Sequence, residues 1–330
     1  MSLCDVFPPS PNFTEEHLPN LSGKVFIVTG GSSGVGLELT KLLYSKNGTV
    51  FIATRSLAKI QSAIDVARST YPTSEGRLEP LVLDLSDLAT VRPAAMSFLS
   101  QESRLDVLFN NAGIMFAPPE ARTAQGHESQ MGTNALGHYL LTKCLEPILV
   151  RTAEANQAAG IGRKWDGGVR IVNVVSWMDV GVPKGVIEWD DTSTRPKVLT
   201  KSMDNYMMSK VGLTYMSADI AQRLGSKGVI AVSVHPGLMK TELQRTQRMT
   251  QSMMGIMFKP AKYGAYTEIF AGFSQDITRE RNGAYILPWG RFGKLPENVA
   301  QGIKKQSEGG NGMKDRFLAY CERETVRYFG

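Results

Sequence analysis

The sequence predicts an α/β fold, a doubly wound parallel sheet of about seven strands forming a single domain with a C-terminal extension. Three observations carry this. Short apolar runs rich in branched residues alternate with segments of helical spacing from Lys24 to Leu287. The first run enters a glycine-dense turn that leads directly into an amphipathic helix. Several runs end in small polar motifs, at the carboxyl ends where sheets of this kind bind ligands.

Taken in order, Lys24-Val25-Phe26-Ile27-Val28-Thr29 reads as a buried strand and Gly30 to Gly36 as the turn. Leu37 to Tyr44 follows with apolar residues at helical spacing. A turn like this leaves backbone N–H groups and the positive end of a helix dipole facing outward, which suits a phosphate. Thr49 to Thr54 is the second strand, and a helix follows through Leu57, Ile60, Ile64 and Ala67. Leu78 to Leu83 is the third strand and ends in Asp84-Leu85. Asp87 to Ser100 is helix-like, and Leu105 to Phe109 is a strand ending in Asn110-Asn111-Ala112-Gly113. Ala124 to Ala155 holds one long helix, broken or bent near Pro147. Val169 to Val175 is a strand ending at Ser176. A helix from about Met203 to Leu224, a strand from Val229 to Val234 and a last run from Ala284 to Leu287 complete the pattern.

Length alone admits one large domain or two ordinary ones. No linker or repeat separates a second, so residues 1–22, with four prolines, read as an extended arm, 23–295 as the catalytic domain and 296–330 as the extension. A hydrophobic content of 42% with 21% charged residues supports a sizeable core. The net charge, 37 − 31 = +6, is spread without Lys/Arg clusters, so no nucleic-acid partner is expected. Cys4, Cys144 and Cys321 are too scattered for a disulfide framework or a metal site and fit a reducing compartment. The start lacks the features of a signal peptide. The most apolar window, 135–150, is interrupted by Lys143, Glu146 and Pro147, so no transmembrane segment is expected. A soluble, cytoplasmic protein is the expectation.

Asn134, Ser176, Tyr206 and Lys210 stand at or near the ends of these elements. Together with Thr29 to Gly36, Asp84-Leu85, Asn110 to Gly113, Tyr206-Met207-Met208-Ser209-Lys210, and His235-Pro236-Gly237 followed by Thr241, they resemble the short-chain dehydrogenase/reductase family. The motifs fall in the family's order and span about residues 22–290. Singly, each has a plain structural reading, such as a packing tyrosine, a solubilising lysine or a turn serine. Their joint register is what selects the family.

The resemblance implies a Rossmann-type fold and hydride transfer between a nicotinamide cofactor and a carbonyl or alcohol. It implies Tyr206 as proton donor, Lys210 as its neighbour and ribose ligand, Ser176 as holder of the substrate oxygen, and Asn134 as keeper of a relay water. Tyr206 and Lys210 are four apart on a helix and share a face. An adjacent ammonium is expected to lower the phenol's pKa from about 10. The implied cofactor contacts are Gly30, Ser32, Ser33, Gly34, Val35, Gly36, Asp84, Leu85, Asn111, Ala112, Gly113, Pro236, Gly237, Met239 and Thr241, besides Tyr206 and Lys210.

The choice of cofactor follows from the end of the second strand. An NAD enzyme places a carboxylate about 20 residues beyond the glycines. Here Thr54 is neutral and Arg55 follows, a bidentate partner for a 2′-phosphate. NADP is therefore favoured over NAD, although Ser33 stands where many NADP-using members carry a second basic residue.

On the substrate side, residues 177–205 and 238–260 are the segments able to shape a pocket. Leu238, Met239, Met249, Met253, Met254, Met257 and Phe258 suit a bulky apolar ligand, or equally a packed lid. The first of these segments and the N-terminal arm are similar to retinol-dehydrogenase-like members and to fungal reductases of specialised metabolism, and Pro288-Trp289-Gly290-Arg291 resembles the fungal group. The leading expectation is NADPH-dependent reduction of a hydrophobic ketone or aldehyde, or its reverse. The alternatives are an NAD-linked alcohol dehydrogenase and a non-catalytic cofactor-binding regulator. Family members pair as homodimers or homotetramers through the helices bearing Asn134 and Tyr206. Whether Leu213, Met216 and Ile220 meet a partner or the core stays open in the sequence.

Overall fold

The computed structural model describes residues 7–161, 168–192, 194–239 and 258–329. Its strands are β1 (Val25–Thr29), β2 (Thr49–Thr54), β3 (Arg77–Val82), β4 (Val107–Asn110), β5 (Val169–Val174), β6 (Val229–Val234), β7 (Tyr285–Leu287) and β8 (Arg291–Phe292). They form one sheet in the order β3-β2-β1-β4-β5-β6-β7-β8. Neighbours are parallel except the last pair, β7 and β8. The eighth strand corrects the expected seven. Two residues are too few to show an alternating pattern, so β8 exists through its pairing with β7 rather than through its own composition.

Helices α1 (Gly34–Ser45), α2 (Leu57–Thr70) and α6 (Ala261–Phe273) cover one face, and α3 (Leu88–Leu99), α4 (Gly137–Ala158) and α5 (Ser202–Leu224) the other. The period of two sorts the strand residues between these layers. In β1, Val25 and Ile27 join the α3–α5 layer and Phe26 and Val28 the α1–α6 layer. Because both faces are covered, the inner strands read as continuous apolar runs. Pro80 is tolerated because β3 is an edge strand, paired only with β2. Sequence order reverses between β1 and β4, so a crevice opens beyond the carboxyl ends of the strands there.

One polar residue crosses the core. Arg170 on β5 is fully buried and donates to the carbonyls of Ala271 and Ser274, at 2.8 Å each. It thereby satisfies carbonyls at the C-terminus of α6 that have no helical partner. Burial pulls its pKa down to about 9.

The long helix differs from its expectation. Helical backbone begins at Ser129 rather than near Ala124, runs as a π-turn over Met131–Leu136, and continues through Pro147 to Ala158. The residues before it are held in a tight loop by an isolated bridge between Arg122 and Glu128.

The N-terminal arm lies on α6. Glu15 pairs with Lys262 at 2.6 Å, Phe13 sets its ring edge-on to Phe270 at 5.8 Å, and Leu18 and Leu21 are buried. The C-terminal extension, with α7 (Glu297–Ile303) and α8 (Met313–Thr325), packs on α5. Phe317 rests directly on Gly212, and Tyr139 of α4 donates to Glu322 at 2.6 Å. Much of the 177–205 connection joins that extension: Trp189 donates to the Met313 sulfur at 3.1 Å and lies under the Arg316 guanidinium at 4.0 Å. Leu213, Met216 and Ile220 belong to the core, so these side chains are not a surface for a partner.

Candidate active site

The crevice is a cleft of about 830 Å³. Its floor is the β1–α1 turn. Gly30 has φ +68°, and a Cβ on Gly36 would stand 2.5 Å from the Gly30 carbonyl oxygen and from Asn111 Nδ2. Only glycine fits a backbone folded so closely. Asn111 braces the turn by donating to the Thr29 carbonyl at 2.7 Å. Ser33, the N-cap of α1, makes no side-chain cap bond. The first-turn N–H groups of α1 therefore have no side-chain cap, which is the condition for binding a diphosphate there.

Further along the cleft wall stand Ser32, Ser33, Arg55, Ser56 and Lys59. Arg55 lies beside the N-terminus of α2 and Lys59 in its first turn, both exposed. At the next strand end, Asp84 accepts from the N–H and hydroxyl of Ser86 at 2.9 and 2.6 Å, which fixes the loop carrying Leu85. Ala112, Gly113 and Ile114 form the wall after β4. Ser56, Lys59, Ile114 and Val175 also line the cleft, although the family motifs did not mark them. For Lys59 the signal was available, since it follows Arg55 by one helical turn.

At the other end, Tyr206 and Lys210 reach the cleft from α5, and both are buried. The Ser176 hydroxyl lies close enough to the Tyr206 phenol to favour its ionised form. Lys210 Nζ donates to the Val174 carbonyl at 2.8 Å and sits 5.7 Å from the Tyr206 ring centroid. A Cβ on Gly113 would come within 3.2 Å of that nitrogen, so glycine leaves the ammonium its place. Asn134 lies in the π-turn. Its amide donates to the Ile114 carbonyl and the Ser209 hydroxyl at 3.0 Å each, and its oxygen accepts from the Ile114 N–H at 2.8 Å. Asn134 thus ties the loop after β4 to α5. Its backbone carbonyl accepts from His138 Nδ1 at 2.8 Å, so Nδ1 carries the proton. Burial pushes that imidazole to about 3, hence neutral.

The electrostatics correct one expectation. The Tyr206 phenol is not made more acidic: burial pushes its pKa up to about 12, and only the nearby Ser176 hydroxyl pulls the other way. The Lys210 charge is itself weakened by burial, which brings its pKa to about 7 against support from Glu268. Glu268, on α6, is fully buried, and neither carboxylate oxygen has a hydrogen-bond partner among the described residues. Burial raises it to about 8, with Lys210 pulling the other way. No sequence motif marked this residue.

Two of the expected cofactor contacts, Gly237 and Met239, are not among the residues lining the cleft. Pro236 lines it, but Gly237 packs against the Trp289 ring and Met239 against Gly264 at the start of α6. Thr241 lies outside the described residues, as do Met249, Met253, Met254 and Met257. None of residues 177–205 lines this cleft among those described. Among the described residues no cluster of potential ligands could hold a metal ion, and no helix is long and apolar enough to cross a membrane.

A doubly wound sheet whose first turn is a glycine-lined phosphate cradle defines a Rossmann-type nucleotide-binding protein. Comparison with known proteins narrows the class. Residues 24–177 match the short chain dehydrogenase family. A short-chain dehydrogenase/reductase of Phomopsis amygdali is 41% identical over 98% of this chain and 96% of its own length. The short-chain dehydrogenase/reductase bet4 of Neocamarosporium betae is 40% identical over 98% of this chain and 92% of its own. Among solved structures, an NADPH-bound carbonyl reductase from chicken fatty liver shares the fold, with a TM-score of 0.58 and 21% identity over 81% of this chain and 96% of that one. The chain belongs to the short-chain dehydrogenase/reductase family, whose members are NAD(P)-binding oxidoreductases.

Proposed function

We propose that this protein is an NADPH-dependent reductase of a hydrophobic ketone or aldehyde, working in reverse as a dehydrogenase of a secondary alcohol. The observation that carries the choice of cofactor is the pair Arg55 and Lys59, which line the cleft beside Ser32 and Ser33 where an NAD enzyme would carry a carboxylate. The glycine turn and the α1 N-terminus would hold the diphosphate, Asp84 and Leu85 the adenine side, and Asn111 to Gly113 with Lys210 the ribose beyond. Bound there, the nicotinamide supplies the hydride. Tyr206, kept protonated by its burial, gives its proton to the substrate oxygen, and Ser176 holds both that oxygen and the phenol. Lys210 favours the phenolate left behind, and Asn134 keeps the loop after β4 against α5.

Ile114 and Val175 on the cleft wall favour an apolar substrate. A role in specialised metabolism rests on the resemblance alone. The test is to incubate the purified protein with NADPH or NADH and a panel of aromatic, terpenoid and steroid ketones, following the loss of cofactor absorbance. Tyr206→Phe should abolish turnover and leave NADPH affinity nearly intact. Retained turnover overturns the assignment, and equal rates with NADH overturn the choice of cofactor.

A further inference from the structure

We infer that Tyr285, on β7, is a positioning residue for Ser176. This rests on the reading of Ser176 and Tyr206 given above. The β5–β6 ladder holds the chain up to Val175, whose N–H donates to the Val234 carbonyl at 2.8 Å. Beyond it the backbone leaves the sheet. There the Tyr285 hydroxyl donates to the Ser176 carbonyl at 3.0 Å and accepts from the Met178 N–H at 3.2 Å. One hydroxyl thus bridges the peptide groups on either side of Trp177 and continues the role of the ladder where strand pairing has stopped.

The phenol that does this is itself held. Tyr285 is buried and paired in register with Ser233, and its carbonyl accepts from the Gly293 N–H at 2.8 Å. A Cβ on Gly293 would stand 3.0 Å from the ring, so the glycine after β8 lets the sheet edge close over it. Through the Ser176 carbonyl the sheet edge is thus tied to the residue whose hydroxyl faces the Tyr206 phenol closely enough to affect its ionisation. The β7–β8 pair, which looks like a simple closing hairpin, thereby sets where the substrate oxygen can be held. Misplacing such a group by about 1 Å costs on the order of 100-fold in rate.

The test is Tyr285→Phe, which keeps the ring and removes the hydroxyl. In its crystal structure the Ser176–Met178 backbone should shift and carry the Ser176 hydroxyl with it; Ser176 found unmoved overturns the inference whatever the activity. On the ketone turned over fastest by the wild type, kcat should fall roughly 10-fold or more while the KM for NADPH stays within about twofold. Introduced into Ser176→Ala, the same substitution should change kcat by less than about twofold, because the group it positions is gone. Equal losses in both backgrounds mean a general structural role and overturn the inference. Tyr206→Phe retaining turnover would instead sink the reading of the site, so the two failures are distinguishable.

Discussion

Replacing Arg55 with alanine tests the phosphate end of the cleft. Neither the Arg55 nor the Lys59 side chain makes an ion pair or hydrogen bond among the described residues, so both charges are available to a ligand. A hydrogen bond to a charged group contributes about 1.5–3 kcal/mol, or roughly 10- to 150-fold in affinity. Arg55 is exposed and solvent screens it, which argues for the lower part of that range: about 10- to 30-fold weaker NADPH binding at low salt. NADH lacks the phosphate and should change by less than about twofold. Lys59→Ala, removing a point charge without the bidentate fork, should cost NADPH roughly three- to fivefold. Titration of cofactor fluorescence reads both constants. Raising the salt should shrink the wild-type preference for NADPH. Equal weakening of both cofactors, or none of NADPH, would refute the argument and return Arg55 to an ordinary surface role.

Tyr206→Phe should lower kcat by about 100- to 10,000-fold, the range for a positioned general acid, with little change in cofactor affinity. The Glu268 pKa is raised by folding from 4.5 to about 8, so its contribution to stability is fully present below pH 4.5 and is lost as pH rises through about 8. Glu268→Gln should therefore gain on the wild type across that window by on the order of a few kcal/mol, read as a pH-dependent difference in Tm; a difference independent of pH would contradict it. Gly212→Ala drives a methyl into the Phe317 ring and should lower stability by about 1–3 kcal/mol in denaturant unfolding. An unchanged unfolding midpoint would mean that the extension yields without cost.

Much of the fold was legible because its signals are local. Apolar runs such as Val25 to Val28 and Val229 to Val234 are long enough to announce buried strands, and the helices between them carry their own periodicity. The glycine turn was legible because steric exclusion of a Cβ leaves few substitutes for Gly30 and Gly36. The two-residue β8 and the π-turn were not, because each depends on what it packs against. The expectation of an acidified Tyr206 failed for a related reason. Spacing places an ammonium near a phenol, but burial fixes how much of either charge survives.

What the sequence determined alone was the alternation of strands and helices, the phosphate-binding turn and the order of the motifs, since backbone sterics and side-chain periodicity act within a few residues. Only the tertiary structure decided that Glu268 lies buried within electrostatic reach of Lys210 and that Tyr285 holds the chain beyond Ser176. These residues are separated by up to 109 positions along the chain. Their encounter is a product of sheet order and layer packing, which no local pattern encodes.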